Sequence, residues 1–136
     1  MRACPGLCTG LRIQPVLQAA RARHADDPFA DYALVQANLY AHGGVGLSPH
    51  ADDEPFLTAG APIYSFSLGA TRPFSIYTTD DDKVLDVPLA HGDLLMMTGD
   101  MQTEFKHGIE KDRPAKYGPR INLTVRSVRA STDGTA

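Results

Sequence analysis

His50 and Asp52 stand one residue apart in "SPHADDEPF", a stretch that also holds Asp53 and Glu54. Carboxylates repel one another, so crowding them against an imidazole calls for open solvent or for a positive charge among them. In an extended segment, residues two apart point to the same side. His50 and Asp52 can then converge on one point while Asp53 turns away. A divalent cation at that point would offset the crowding and leave Asp53 and Glu54 for a second role. A third ligand must come from elsewhere in the chain. His107, in "TEFKHGI", is the leading candidate, with His91 in "AHGDLL" and His42 in "AHGG" as rivals. Glycine neighbours make a turn or loop position the plainer reading for both rivals.

Two imidazoles and one carboxylate on one face of an octahedron leave the opposite face open, the ligand arrangement of non-haem iron(II) oxygenases. The segment "RINLTVR" adds a second kind of group. A strand here places Arg120, Asn122, Thr124 and Arg126 on one face and Ile121, Leu123 and Val125 on the other. Two arginines on a buried face need an anion. A dicarboxylate suits them, because a guanidinium binds a carboxylate through paired hydrogen bonds. Taken alone, the strand reads more readily as a solvated basic face; beside His50, Asp52 and His107 the anion site becomes the better reading.

The elements that must hold these residues are mostly strands. "YALVQANLY", "APIYSFSLGA", "FSIYT", "KVLDVPL", "GDLLMMT" and "RINLTVRSV" are punctuated by Gly, Pro and Asp at short intervals. In the second of them, Ile63, Ser65 and Ser67 alternate with Tyr64, Phe66 and Leu68. Many short strands with turns between them indicate a sandwich or barrel. One helix is expected, over "PVLQAARARH", with Pro15 in its first turn, and it would pack outside the sheets.

The chain has 136 residues, the length of one domain rather than two, and residues 1–13 are expected to lack fixed structure. No apolar run approaches the roughly 18 residues of a membrane span, and the N-terminus lacks the apolar core of a signal peptide. An intracellular location, cytoplasmic or nuclear, is therefore expected, with no membrane partner. Cys4 and Cys8 are the only cysteines and do not complete a zinc site. A net charge of −3 argues against general coating of duplex nucleic acid. The segment from Lys106 to Arg129 is nevertheless rich in Lys and Arg, and is expected to form a locally basic face.

"NLY", "HADDE", "LAHGDLLMM", a later His and "RINLTVR", in that order from Tyr32 to Arg129, resemble the AlkB family of iron(II)- and 2-oxoglutarate-dependent dioxygenases. The likeness is greatest to the branch with "HxDDE" and "RxNLTxR" stretches, which repairs methylated bases in eukaryotes. The resemblance implies a mainly β fold, the double-stranded β-helix or jelly roll, with both histidine ligands on strand ends near its open mouth. It implies iron(II) on His50, Asp52 and His107, with 2-oxoglutarate and O2 as co-substrates. Asn38 and Tyr40 would touch 2-oxoglutarate from a neighbouring strand. Arg120 would hold its far carboxylate, Arg126 would lie near its chelating end, and Asn122 and Thr124 would line the same pocket. Asp53 and Glu54 would face the target base, a carboxylate there suiting the positive charge of a methylated adenine or cytosine.

The reaction so implied is oxidative demethylation, releasing formaldehyde, succinate and CO2. Members of the family carry a base-recognition lid of about 70–100 residues before the jelly roll, in keeping with base flipping. Here 37 residues precede Asn38, so the lid is expected to be short or missing. The expected partner is DNA or RNA, single-stranded or easily opened, with no obligate protein partner. Two other readings share parts of this pattern: an oxygenase of the same core acting on a protein side chain or small molecule, and a non-enzymatic metal-binding jelly roll.

Overall fold

The structure, a computed structural model, describes residues 32–129. Eight strands follow in order: β1 (Tyr32–Tyr40), β2 (Leu47–His50), β3 (Ile63–Gly69), β4 (Arg72–Thr78), β5 (Lys83–Leu89), β6 (Leu94–Met97), β7 (Phe105–Ile109) and β8 (Arg120–Ser127). They form two four-stranded sheets, ordered β1-β8-β3-β6 and β2-β7-β4-β5. Every pairing is antiparallel. This is the jelly roll that the strand pattern and the resemblance imply. The helix expected over "PVLQAARARH" lies outside the described residues. Among the described residues, no helix is long and apolar enough to cross a membrane.

Strands β1, β3, β4, β5, β6 and β8 fall where the apolar alternation puts them. The two that it did not mark are β2 and β7. β2 is four residues long and contains Pro49, which cannot donate to a ladder. β7 is five residues with Gly108 beside His107. Gly108 is required by close approach: a Cβ there would sit 2.6 Å from the Leu47 carbonyl oxygen. Both short strands owe their conformation to pairing, β2 with β7 and β7 with β2 and β4, not to local propensity.

The space between the sheets holds a core of Tyr40, Ile63, Phe74, Leu89, Met97 and Ile109. One cation is built into the surrounding wall. Arg72 is fully buried and donates to the carbonyls of Glu110 (2.7 Å), Val45 (3.2 Å) and His42 (3.4 Å). Its guanidinium lies 4.6 Å from the Tyr117 ring centroid and 5.9 Å from that of Tyr40. Arg72 thus ties the loop after β1 to the end of β7. Replacing it with methionine keeps a similar apolar stem but removes the donor from the Glu110 and Val45 carbonyls, while that of His42 keeps the Val45 amide at 3.1 Å. Hydrogen bonds to charged groups contribute about 1.5–3 kcal/mol each, and not additively, so Arg72→Met should cost roughly 3 kcal/mol. A shift in urea midpoint at unchanged slope would measure it; an unchanged midpoint would show that water replaces the guanidinium.

Candidate active site

The pairing of β2 with β7 sets His50 directly opposite His107. Their ring centroids lie 4.5 Å apart. Asp52 follows in the segment after β2, and one side-chain atom from each of the three lies within 4.8 Å of the other two. His50 Nε2 is 3.8 Å from Asp52 Oδ1, and His107 Nε2 is 3.6 Å from Asp52 Oδ2. These gaps are too long for good hydrogen bonds. They exceed by roughly half an ångström or more the separation of about 3 Å between ligands at right angles around an ion with bonds of about 2.0–2.2 Å, so the three side chains would close in on an ion held between them. His50 Nδ1 lies 2.9 Å from the Ser48 carbonyl oxygen. A carbonyl only accepts, so Nδ1 carries the proton and Nε2 keeps its lone pair for a metal. The His107 ring stacks on Phe74, centroids 5.1 Å apart. His50 ends β2, as expected of a ligand at a strand end, but His107 is the central residue of β7, not a terminal one. It reaches the same point because its partner strand stops there.

His91 and His42 are elsewhere. His91 Nδ1 accepts from the Gly69 amide and His42 Nδ1 from the Gly44 amide, the roles of turn residues.

Asp52 is buried and ion-paired with Arg126 through Oδ1. Burial pushes its carboxyl up, but His107, the Arg126 charge and His50 together outweigh burial and hold it below the usual carboxylate range. Arg126 also donates to Glu54 Oε1 at 3.4 Å.

Arg120 stands at the other end of the same strand face. It is 1% exposed, and Nη2 donates to Ser67 Oγ at 2.9 Å. Its Nε and Nη1 are buried without a hydrogen-bond partner among the described residues, and no carboxylate there pairs with it. Register places Tyr40 on β1 opposite Arg120, and the guanidinium lies 5.2 Å from the Tyr40 ring centroid. Burial lowers Arg120 below its ordinary range, partly countered by Tyr40 and reinforced by Arg72. Burial likewise raises the Tyr40 hydroxyl. A buried guanidinium with two unmet donors is costly unless an anion completes it.

Between the two arginines, Asn122 donates to Ser65 Oγ (2.7 Å) and the Phe66 carbonyl (3.1 Å), and accepts from Thr124 (3.1 Å). Asn38 lies opposite Asn122 in the β1–β8 register. One cavity between the sheets is lined by His50, Asp52 and His107 and also by Asn38, Tyr40, Arg120, Asn122, Thr124 and Arg126. Asp53 and Glu54 line a second, roomier cavity of about 350 Å³ that shares Asp52, Met97 and Arg126 with the first.

The alternation of β3 assigns Ser65 and Ser67 no role, yet both are buried against β8. Their small hydroxyls leave room for Asn122 and Arg120, and only the β3–β8 register (Ser67 opposite Asn122, Ser65 opposite Thr124) discloses this. The cations expected to form a basic face divide: Arg120 and Arg126 turn inward with the strand alternation, Lys106 pairs with Asp81 at 2.9 Å and Lys116 with Asp112, while Lys111, Arg113 and Arg129 are exposed.

Comparison with known proteins agrees with this geometry. The family model described as the 2OG-Fe(II) oxygenase superfamily matches residues 12–126. The chain is 34% identical over 129 residues to the bovine (Bos taurus) DNA oxidative demethylase ALKBH2, covering 89% of this chain and 46% of that one. It is 33% identical over 125 residues to the human alpha-ketoglutarate-dependent dioxygenase alkB homolog 3, covering 84% of this chain and 43% of that one. The chain therefore spans about half the length of the curated relatives it matches. A solved structure of OsALKBH1 superposes with a TM-score of 0.58 at 27% identity, over 85% of this chain and 62% of that one. The jelly roll and the extent of the family match, 115 of 136 residues, place the chain in the 2OG-Fe(II) oxygenase superfamily.

Proposed function

We propose that the chain carries the catalytic core of an oxidative demethylase acting on N-alkylated nucleic-acid bases of the 1-methyladenine and 3-methylcytosine type. The observation that carries this reading is the lining of one cavity by an imidazole–carboxylate–imidazole cluster and, farther along β8, an arginine with unmet donors. The relatives named as demethylases support the choice of substrate.

His50, Asp52 and His107 would hold iron(II). With 2-oxoglutarate and O2, iron(II) supplies the oxidation that hydroxylates an N-methyl carbon, leaving succinate, CO2 and, after the hydroxymethyl group is lost, formaldehyde. The chain's own side chains position the reactants. Ser67 takes one hydrogen of Arg120 Nη2, so one planar edge of the guanidinium, the other Nη2 hydrogen with Nη1 or with Nε, remains to take the far carboxylate of 2-oxoglutarate, with Tyr40 beside it. Asn122 is fixed by Ser65 and Thr124 and, with Asn38, forms a polar wall. Arg126 ion-pairs with Asp52 Oδ1 and shares that carboxylate with the metal it would bind. Asp53 and Glu54 put negative charge into the adjoining cavity, where it attracts a methylated, cationic base over its neutral parent.

Single-stranded or readily opened nucleic acid is the preferred form in this reading. The arginines of β8 face inward and Lys106 and Lys116 are ion-paired, which leaves Lys111, Arg113 and Arg129 as the exposed cations of that segment; with a net charge of −3, grip on a duplex backbone is weak. Unstacking a base costs a few kcal/mol, and least when it is already unpaired. Such work belongs in the cytoplasm or nucleus.

The chain should be incubated with iron(II), 2-oxoglutarate and methylated oligonucleotides, single-stranded and duplexed, with succinate and formaldehyde measured. Both products are expected in equal amounts, faster from the single strand, and Asp53→Ala should slow repair. Equal or faster turnover of the duplex would overturn the strand preference, and full activity in Asp53→Ala would remove that residue from base recognition. Succinate without formaldehyde from any oligonucleotide would favour an oxygenase acting on a protein side chain or small molecule.

A further inference from the structure

We infer that Gln102 is a positioning residue for the metal centre, acting on Asp52 through its backbone; this rests on the reading of His50, Asp52 and His107 as metal ligands. β2 ends at His50, and the chain does not rejoin a sheet until the isolated bridge between Leu57 and Val128. Asp52 lies in that gap, so no strand partner takes its amide. A buried amide must find an acceptor. Gln102 Oε1 accepts from it at 2.8 Å. Gln102 closes the 3-10 turn Gly99–Gln102, just before β7 and its ligand His107. Its Nε2 lies 3.7 Å from Met97 Sδ, a weak acceptor, which orients the amide with its oxygen toward Asp52.

The anchor matters because of Arg126. That guanidinium holds Asp52 by Oδ1 and so competes with a metal for the same carboxylate. Were the backbone free to follow, the ion pair with Arg126 could draw Asp52 away from the two imidazoles. Gln102 holds the main chain from the opposite element and keeps the carboxylate between its two claims. It also lines the second cavity, so one amide joins the wall of that cavity to a metal ligand.

The test is the affinity of the full chain for Mn(II), followed by electron paramagnetic resonance, together with the metal-free melting temperature. Gln102→Met keeps length and packing but removes the acceptor; Gln102→Asn keeps the amide but shortens its reach; Gln102→Glu keeps an acceptor oxygen at the same reach. Loss of such an outer partner typically lowers metal affinity about 10–100-fold, and that loss is expected in the Met and Asn variants. Gln102→Glu should retain at least the parent's affinity, and that retention beside the loss in Gln102→Met is a contrast that a merely space-filling role would not give. Parent-like Mn(II) binding in either Gln102→Met or Gln102→Asn, or a Gln102→Glu chain as weak as Gln102→Met, would overturn the assignment while leaving the metal centre intact. Parent-like binding in His107→Ala would instead overturn the metal reading, and the positioning role with it.

Discussion

Arg120→Ala is expected to raise the 2-oxoglutarate concentration for half-maximal turnover roughly 100-fold, since losing one member of a buried charge pair costs about 2–5 kcal/mol and 1.4 kcal/mol is tenfold. The same change should leave the metal-free chain about as stable as before. Most truncations of a buried side chain destabilise, but Arg120 is 1% exposed, lacks an anion among the described residues and has two unmet donors. Removing it relieves a desolvation cost that offsets much of the lost packing. A site that binds an anion carries this signature, a group unfavourable to the empty fold and favourable to the complex. Calorimetric titration of Mn(II)-loaded protein with 2-oxoglutarate, set beside thermal melts of the metal-free chain, separates the two effects. Arg120→Lys should fall between parent and alanine, because an ammonium keeps charge without the planar pair of donors. An unchanged co-substrate requirement in Arg120→Ala would remove the dicarboxylate from this end of the cavity.

Asp52→Ala should behave in the opposite way, weakening both the metal complex and the empty fold. Mn(II) binding should be lost, because the carboxylate is the only anionic member of the cluster. Stability should fall by about 3–5 kcal/mol, the usual cost of leaving a buried partner uncompensated. Arg126 keeps only Glu54, at 3.4 Å, so the loss is moderated but not removed. The pH dependence has a definite sign. Asp52 is held below the ordinary carboxylate range in the folded chain, so its contribution is full above the unfolded value and is lost as pH falls through the lowered one. Urea midpoints of the metal-free parent should therefore drop on acidification through that window, and Asp52→Asn should flatten the drop. Equal acid sensitivity in Asp52→Asn would assign the effect to other carboxylates.

The sequence disclosed side chains more readily than the strands that carry two of them. β8 was legible because its alternation is uninterrupted and its polar face is unusual for a central strand. β2 and β7 were not, although they bring the two imidazoles together: one contains a proline, the other a glycine, and neither alternates. Ser65 and Ser67 are legible as strand residues but not as partners of Asn122 and Arg120, since a small hydroxyl does not say whether water or an arginine lies against it. Arg120 and Arg126 were counted both as a site and as part of a basic face, and only the register decides between these. Gln102 carries no local signal, being defined wholly by a backbone amide distant in the chain.

The two histidines face each other across a single strand pairing, although β3 to β6 come between them in the chain. Their spacing is therefore a property of the ladder and not of the connection. Lengthening a loop adds only logarithmically to its closure cost, so the turn between β4 and β5, at Asp80 and Asp81, should tolerate insertions without disturbing the ligands. Deleting one residue within Leu47–His50 or Phe105–Ile109 is different in kind, because it would send a ligand to the opposite side of the sheet. The histidine pair is thus insulated from changes in loop length yet brittle to a frame shift of one residue, which makes those two short strands the least editable of the described strands.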